Sequence, residues 1–428
     1  MSTKRFKLSA AALAILLAAQ LLAPGKTSAA YKTQQLPEPE WSYKLPEGYT
    51  MFNSIYSLQS KDRVFFQLRK KVAVSSAKTK TTTFTYAAAD RNKGTANWVY
   101  DYYDIANDKP FSGSDPYYSK DGNSYFYKRN DSGSEVLLTA VNANGKLKWT
   151  KKFNNPFELV ILDTGNLLLY FNAYNASTNT SNRYFEEFNS DGKQVRKLAI
   201  TKGALITGTL EMLPNGYIVH NPGQSSVNVY RSLDALKTPF VRYTAPKDLA
   251  EVNVGVQSFS GGSVLVSLYS KTDYKLIGFG TDGKKNWVHT LNPKDRVLGI
   301  TGNNYLVQSN NAVYRLYSKD NQLLGKQQIG ELGDTRWISF ITPSGEITVE
   351  KQYQWQERPA VIDPETFEGD VAREDFYVLD PGNLQIKYHL STLWTDYNAG
   401  HQYIYAGKGE LYLTDYWFSN TVTKYILK

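Results

Sequence analysis

The sequence predicts an all-β chain assembled from one repeated four-stranded unit. Three observations carry this. A turn-and-tryptophan segment recurs along the chain, a turn-and-strand segment recurs between its copies, and no 3.6-residue apolar period appears after the first thirty residues.

The first segment is clearest in VNANGKLKW, Val141 to Trp149. The same frame returns at RNKGTANW (Gly94, Trp98), NSDGKQVRKLAI (Gly192) and TDGKKNWVHTL (Gly283, Trp287). Weaker copies centre on Ala235, Asn321 and Gly382. Each ends in an apolar residue eight positions on: Tyr102, Phe153, Ile200, Tyr243, Leu291, Ile329 and Leu390. This is the pattern of a hairpin. Asn, Asp and Gly tolerate the positive φ of a tight turn, and the tryptophan gives the departing strand a large apolar anchor. Trp41, Trp98, Trp149 and Trp287 are therefore expected to pack between neighbouring units.

The second segment is a Gly, Asn or Asp turn followed by a β-rich strand. Its copies start at Asp62, Gly122, Gly165, Gly216, Gly262, Asn303, Gly345 and Gly409. Eight such strands face seven hairpins, and the chain ends in TVTKYILK with no partner strand after it. EWSYKL, Glu40 to Leu45, has Trp41 and Leu45 at the spacing of Trp287 and Leu291. It is expected to complete the last unit from the other end of the chain. Units of roughly fifty residues closed in this way make a β-propeller. Eight blades are expected, seven being the competing count, in a single domain over residues 31–428.

Ala140 to Trp149, AVNANGKLKW, resembles the repeat of PQQ-like, quinoprotein-type β-propellers, in which an Ala-x-Asp/Asn-…-Gly-Lys-x-x-Trp segment recurs once per blade. The period matches over most of the chain, but three copies alone keep both glycine and tryptophan. The resemblance implies blade architecture. In the enzyme branch it also implies a quinone and a calcium ion in the central channel, often beneath a vicinal cysteine pair. This chain has no cysteine. The nearest local run of calcium-type ligands, Asn130 to Glu135, lacks EF-hand spacing. Neither PQQ nor calcium is expected, and a quinone-dependent dehydrogenase is the least favoured activity.

Residues 1–30 read as a secretory signal. Lys4, Arg5 and Lys7 precede an apolar run from Ala10 to Ala23, and Ser28-Ala29-Ala30 supplies a cleavage site. The run is short for a membrane span, and no later one is long enough. Cleavage before Tyr31 removes four positive charges from the formal +9 and leaves +5. That bias suits an anionic envelope but does not mark a nucleic-acid binder. Lack of cysteine excludes thiol catalysis, cysteine–zinc sites and a lipidated terminal cysteine. A monomer, secreted or held at a Gram-positive wall, is expected.

Catalytic motifs are missing. The four histidines, His220, His289, His389 and His401, show no metal-ligand spacing, so neither a metal site nor a triad is expected. Carboxylates abound, which keeps a lyase or glycosidase as the alternative. The long connections say more. With strands named a to d from the axis outward, b–c and d–a connections fall on one face. There, residues 352–375 carry Tyr353 and Trp355, residues 391–400 carry Trp394 and Tyr397, and residues 415–420 carry Tyr416, Trp417 and Phe418. One aromatic binding surface is expected from these seven, beside a basic loop with Lys70, Lys71, Lys78 and Lys80. The expected function is a non-enzymatic platform at the cell envelope that binds a polysaccharide or a protein.

Overall fold

The computed structural model describes residues 35–428 apart from 56–61, 73–80, 105–110, 114–115, 131, 133, 176–179, 201–204, 206, 224, 247–252, 272, 331–336, 343, 352–371, 395–400 and 416–420. The expected signal lies outside the described residues. Among the described residues, Leu233–Ala235 is the one helical element seen in full, a 3-10 turn, and no helix is long and apolar enough to cross a membrane.

The strands form eight antiparallel sheets, each in the order a-b-c-d. Blade 1 runs through Tyr49–Ile55, Arg63–Val72, Thr81–Asp90 and Ala96–Asp104. Blade 2 has a split inner strand, Phe111–Gly113 and Tyr117–Tyr118, then Ser124–Asn130, Val136–Val141 and Leu147–Phe153. Blade 3 is Phe157–Ile161, Leu167–Asn175, Thr180–Phe188 and Gln194–Ile200. Blade 4 is Thr209–Met212, Ile218–Gly223, Ser226–Tyr230 and Val241–Thr244. Blade 5 is Asn253–Ser258, Val264–Tyr269, Tyr274–Phe279 and Lys285–Leu291. Blade 6 is Arg296–Thr301, Asn304–Ser309, Val313–Ser318 and Leu323–Gln328. Blade 7 is Trp337–Ile341, Ile347–Lys351, Ala372–Leu379 and Ile386–Trp394. Blade 8 is His401–Gly407, Glu410–Asp415 and Thr421–Ile426, completed by Trp41–Lys44 as its outer strand. Trp41 lies opposite Lys424 and Lys44 opposite Thr421, so the two chain ends close the ring. The chain is an eight-bladed β-propeller.

Burial explains why these residues take these places. Strand b of blade 3 opens LLLYF, and all five side chains are buried, because a middle strand has a blade on each side. The outer strand of blade 5, KNWVHTL, alternates exposed and half-buried positions instead. Apolar clusters join blade to blade around the ring. Val229 and Val241 meet Val264 and Phe279 between blades 4 and 5. Trp41, Tyr43 and Leu45 meet Phe66 and Leu68 between blades 8 and 1. Between blades 1 and 2, Tyr100 and Phe126 pack with centroids 5.1 Å apart.

The repeat segment maps to the c–d hairpin. Gly145 has φ +73 and its N–H donates to Asn142. A bulge follows between Leu147 and Trp149, which sets Trp149 opposite Ala140. Trp287 likewise stands opposite Gly278, and Trp98 opposite Ala88. The alanine of the motif is thus the small residue that the indole lies across. Three weaker turns differ from expectation. In blade 4 the connection is the 3-10 turn, so Ala235 is not a left-handed turn residue. In blade 7 the left-handed position is Leu384, φ +63, rather than Gly382, because this turn closes from Leu384 N–H to Asp380 O and is one residue longer. In the a–b turn of blade 6 it is Gly302, φ +59, rather than Asn303.

Candidate functional site

Strand direction fixes which connections share a face. The a–b and c–d turns leave one face, and the b–c and d–a connections leave the other. Residues 352–371 join strands b and c of blade 7, 395–400 join blade 7 to blade 8, and 416–420 join strands b and c of blade 8. All three therefore start and finish on one face, at two adjacent blades. Of the seven aromatics expected to meet there, Tyr353, Trp355, Tyr397, Tyr416, Trp417 and Phe418 lie outside the described residues. Trp394 belongs to a strand rather than a loop, pairing with Ala372 at the end of the outer strand of blade 7. Lys70 and Lys71 are also strand residues, opposite Thr83 and Thr82, whereas Lys78 and Lys80 lie outside the described residues.

The long blade 7 connection is shorter than its sequence suggested, because strand c starts at Ala372 and takes in Glu374 and Asp375. Asp375 is buried and pairs with buried His389, Oδ1 to Nε2 3.0 Å. The ring of Tyr377 stacks on His389 at 4.1 Å between centroids and 8° between planes. This pair joins strands c and d of blade 7, close to Ala372 where strand c begins. Sequence spacing did not show it, because Asp375 read as part of the loop.

Two other features were not legible. The inner strands of blades 3 and 4 carry exposed Glu158 and Glu211. Burial of their surroundings raises both carboxyls above the usual range, and the Glu158 charge raises Glu211 further. Glu211 also lines a cavity of about 210 Å³ with Gln257, Ser267 and Tyr274. The other feature is a cavity of about 580 Å³ among the a–b turns of blades 2 to 4, with Tyr117, Tyr118 and Pro214 in its wall and the Lys120–Asp163 ion pair, 3.3 Å, at its edge. An isolated Glu in an innermost strand was the only available signal for the first, and nothing in sequence marked the second. No group of three or more potential metal ligands occurs among the described residues.

The tryptophans have well-defined partners. Trp149 Nε1 donates to Ser190 O at 3.1 Å, and Trp287 Nε1 to Lys319 O at 2.8 Å. Trp41 Nε1 donates to Arg91 O at 3.1 Å. In each case the indole of one blade reaches the c–d turn of the next. Trp98 is placed by its backbone in the outer strand of blade 1.

No protein-family model matches the sequence, and no curated protein does. Several solved structures are similar in fold. BamB from Moraxella catarrhalis is 11% identical, with a TM-score of 0.38 over 73% of this chain and 97% of that one. The Dos1 propeller is 10% identical, with a TM-score of 0.47 over 91% and 95%. A prolyl endopeptidase is 9% identical, with a TM-score of 0.46 over 89% of this chain and 56% of that one. These likenesses concern fold alone, and the blade arrangement rests on the strand pairing given above.

Proposed function

We propose that the protein is a non-enzymatic recognition scaffold of the cell envelope, exported behind a cleaved signal, that holds a polysaccharide or protein partner with the connections of blades 7 and 8. The observation that carries this reading is topological. Three connections whose sequences hold Tyr353, Trp355, Tyr397, Tyr416, Trp417 and Phe418 depart from one face of two adjacent blades, next to the strand end that bears Trp394. A propeller supports such a role because its blades are rigid and its connections vary freely. Aromatic side chains offer flat apolar area at low entropic cost, which suits a sugar ring or a protein anchor.

The test is sedimentation of the protein with isolated cell-wall polysaccharide, wild type against a Trp355→Ala, Trp394→Ala, Trp417→Ala variant. Circular dichroism and melting first establish that the variant is folded. Binding by wild type and loss in the folded variant is the expected result. Equal binding by both places recognition elsewhere and overturns the assignment to these loops. Binding by neither removes the wall polysaccharide as partner.

A further inference from the structure

The outermost strands of blades 2 to 7 share a charge pattern that the proposed loop site does not use. Across Leu147–Phe153, Gln194–Ile200, Val241–Thr244, Lys285–Leu291, Leu323–Gln328 and Ile386–Trp394 there is no Asp or Glu. The same strands hold Lys148, Lys151, Lys152, Arg196, Lys197, Arg242, Lys285, Lys326 and Lys387. The preceding turns are mixed: they add Lys146, Lys193 and Lys284, and also Asp191, Asp234, Asp282, Asp320 and Asp380, with Lys284 paired to Asp282 at 3.7 Å. The arc stops at blade 1, whose outer strand Ala96–Asp104 carries Asp101 and Asp104 and no cation.

Some of these charges are answered within the molecule. Lys148 pairs with Asp191 at 2.9 Å, Arg196 with Glu187 at 2.6 Å, Lys197 with Glu186 at 2.6 Å and Lys387 with Asp380 at 3.2 Å. Lys152 pairs with Glu135. Among the described residues no carboxylate pairs with Lys193, Arg242, Lys285 or Lys326, all four of them exposed. These sit on four successive blades, 3 to 6. Protection of a bare strand edge is one use for such side chains, since a buried charge would oppose edge-to-edge pairing. That purpose needs charge of either sign. It does not account for six outer strands that hold cations and no acid, with the carboxylates kept to the turns at one end.

We infer that this rim binds a linear phosphate-backbone polymer, laid along the outer strands from blade 3 to blade 6. Complementary charge selects an anion, and the shape selects its form. A rim that curves around a ring meets a flat membrane at one or two blades only, whereas a flexible chain can follow it. Lysine, the commoner cation here, is a compact point charge suited to phosphate without bidentate geometry. This inference goes beyond the loop site and does not depend on it.

Inorganic polyphosphate is the probe. Binding is measured at two salt concentrations for wild type and two variants. One carries Lys193→Glu, Arg242→Glu, Lys285→Glu and Lys326→Glu. The control carries Lys93→Glu, Lys120→Glu, Lys271→Glu and Lys408→Glu, which changes net charge equally outside the outer strands of blades 3 to 6. Reversal keeps the strand edges charged, and a Gln version of the rim variant serves if the Glu version fails to fold. The expected result is wild-type binding that weakens by about tenfold or more between 50 and 200 mM salt, as ion release requires. The rim variant should lose at least about tenfold and the control much less. Equal loss in both variants reduces the effect to net charge and overturns the inference. Failure of wild type to bind at low salt does so too, as does equal, rim-dependent capture by anionic lipid vesicles. The Trp355, Trp394, Trp417 variant should bind polyphosphate like wild type, so failure here and failure of the loop site are separable.

Discussion

His220 shows how one side chain is fixed by its burial. It is fully buried in blade 4, Nε2 at 2.8 Å from Thr207 O and Nδ1 at 3.4 Å from Asn228 Nδ2. The carbonyl must accept, so Nε2 carries the proton and Nδ1 accepts from the amide. This is the neutral ring. Burial lowers its tendency to protonate below that of a free histidine. The unfolded chain therefore binds more protons than the folded one below the ordinary value of about 6.5. Stability from this residue is present above that pH and is lost as pH falls through it. His289 is shifted in the same direction by burial and adds to the slope. Melting temperature should be flat near pH 7.5 and fall between about 6.5 and 5.5, and His220→Gln should reduce the slope. An unchanged slope in that variant would remove His220 from the account.

At the scale of elements, the turns separate conformational need from contact. Gly216 and Gly283 both have positive φ, +86 and +78. A Cβ on Gly216 meets nothing within 4 Å, whereas one on Gly283 collides with the Phe240 carbonyl oxygen of the preceding blade. Gly216→Ala should cost only the left-handed penalty, about 1–2 kcal/mol. Gly283→Ala should cost clearly more, because backbone of two blades must separate, and denaturant unfolding of the two variants compares them directly. Equal costs would mean that the blade contact yields freely. Leu384 shows the opposite balance. It pays the left-handed penalty at φ +63 but is 1% exposed in the core between blades 6 and 7. Burying a leucine contributes about 1.5–3 kcal/mol, enough to offset that penalty.

For the whole molecule, closure of the ring concentrates at blades 8 and 1. Lys424 is 2% exposed, and its Nζ lies 2.8 Å from Glu40, 3.0 Å from Arg91 O and 3.6 Å from Glu410. Arg91 reaches the same Glu410 at 2.7 Å, and Trp41 spans the joint to Arg91 O. One lysine thus ties the N-terminal strand, the C-terminal strand and the blade 1 turn together. Lys424→Ala should destabilise by about 1.5–3 kcal/mol, since a buried charged donor is lost while Arg91 still compensates Glu410. Trp41→Ala should add less to that variant than to wild type, because both changes open the same joint. Additive effects in thermal unfolding would show that the two act independently.

Sequence by itself determined the blade unit and the use of the Trp41 strand to complete the last blade, and it favoured eight blades over seven; the strand pairing decided for eight. These follow from local rules: Asx-Gly turns, β-rich strands and a tryptophan after the turn recur at fixed spacing, and an unpaired final strand requires a partner. Tertiary structure decided the remainder. The longer turn that makes Leu384 left-handed depends on burial against a neighbouring blade. The pairing of Asp375 with His389 depends on a strand that begins earlier than composition suggested. Strand assignment moved Lys70, Lys71 and Trp394 out of the loops and into ladders. The acid-free outer strands are legible one by one in separate segments, yet become one surface only when the ring brings all six to the same circumference. Local turn and strand chemistry acts over a few residues and is legible there; charge and burial act across blades, between residues that only closure of the ring makes neighbours.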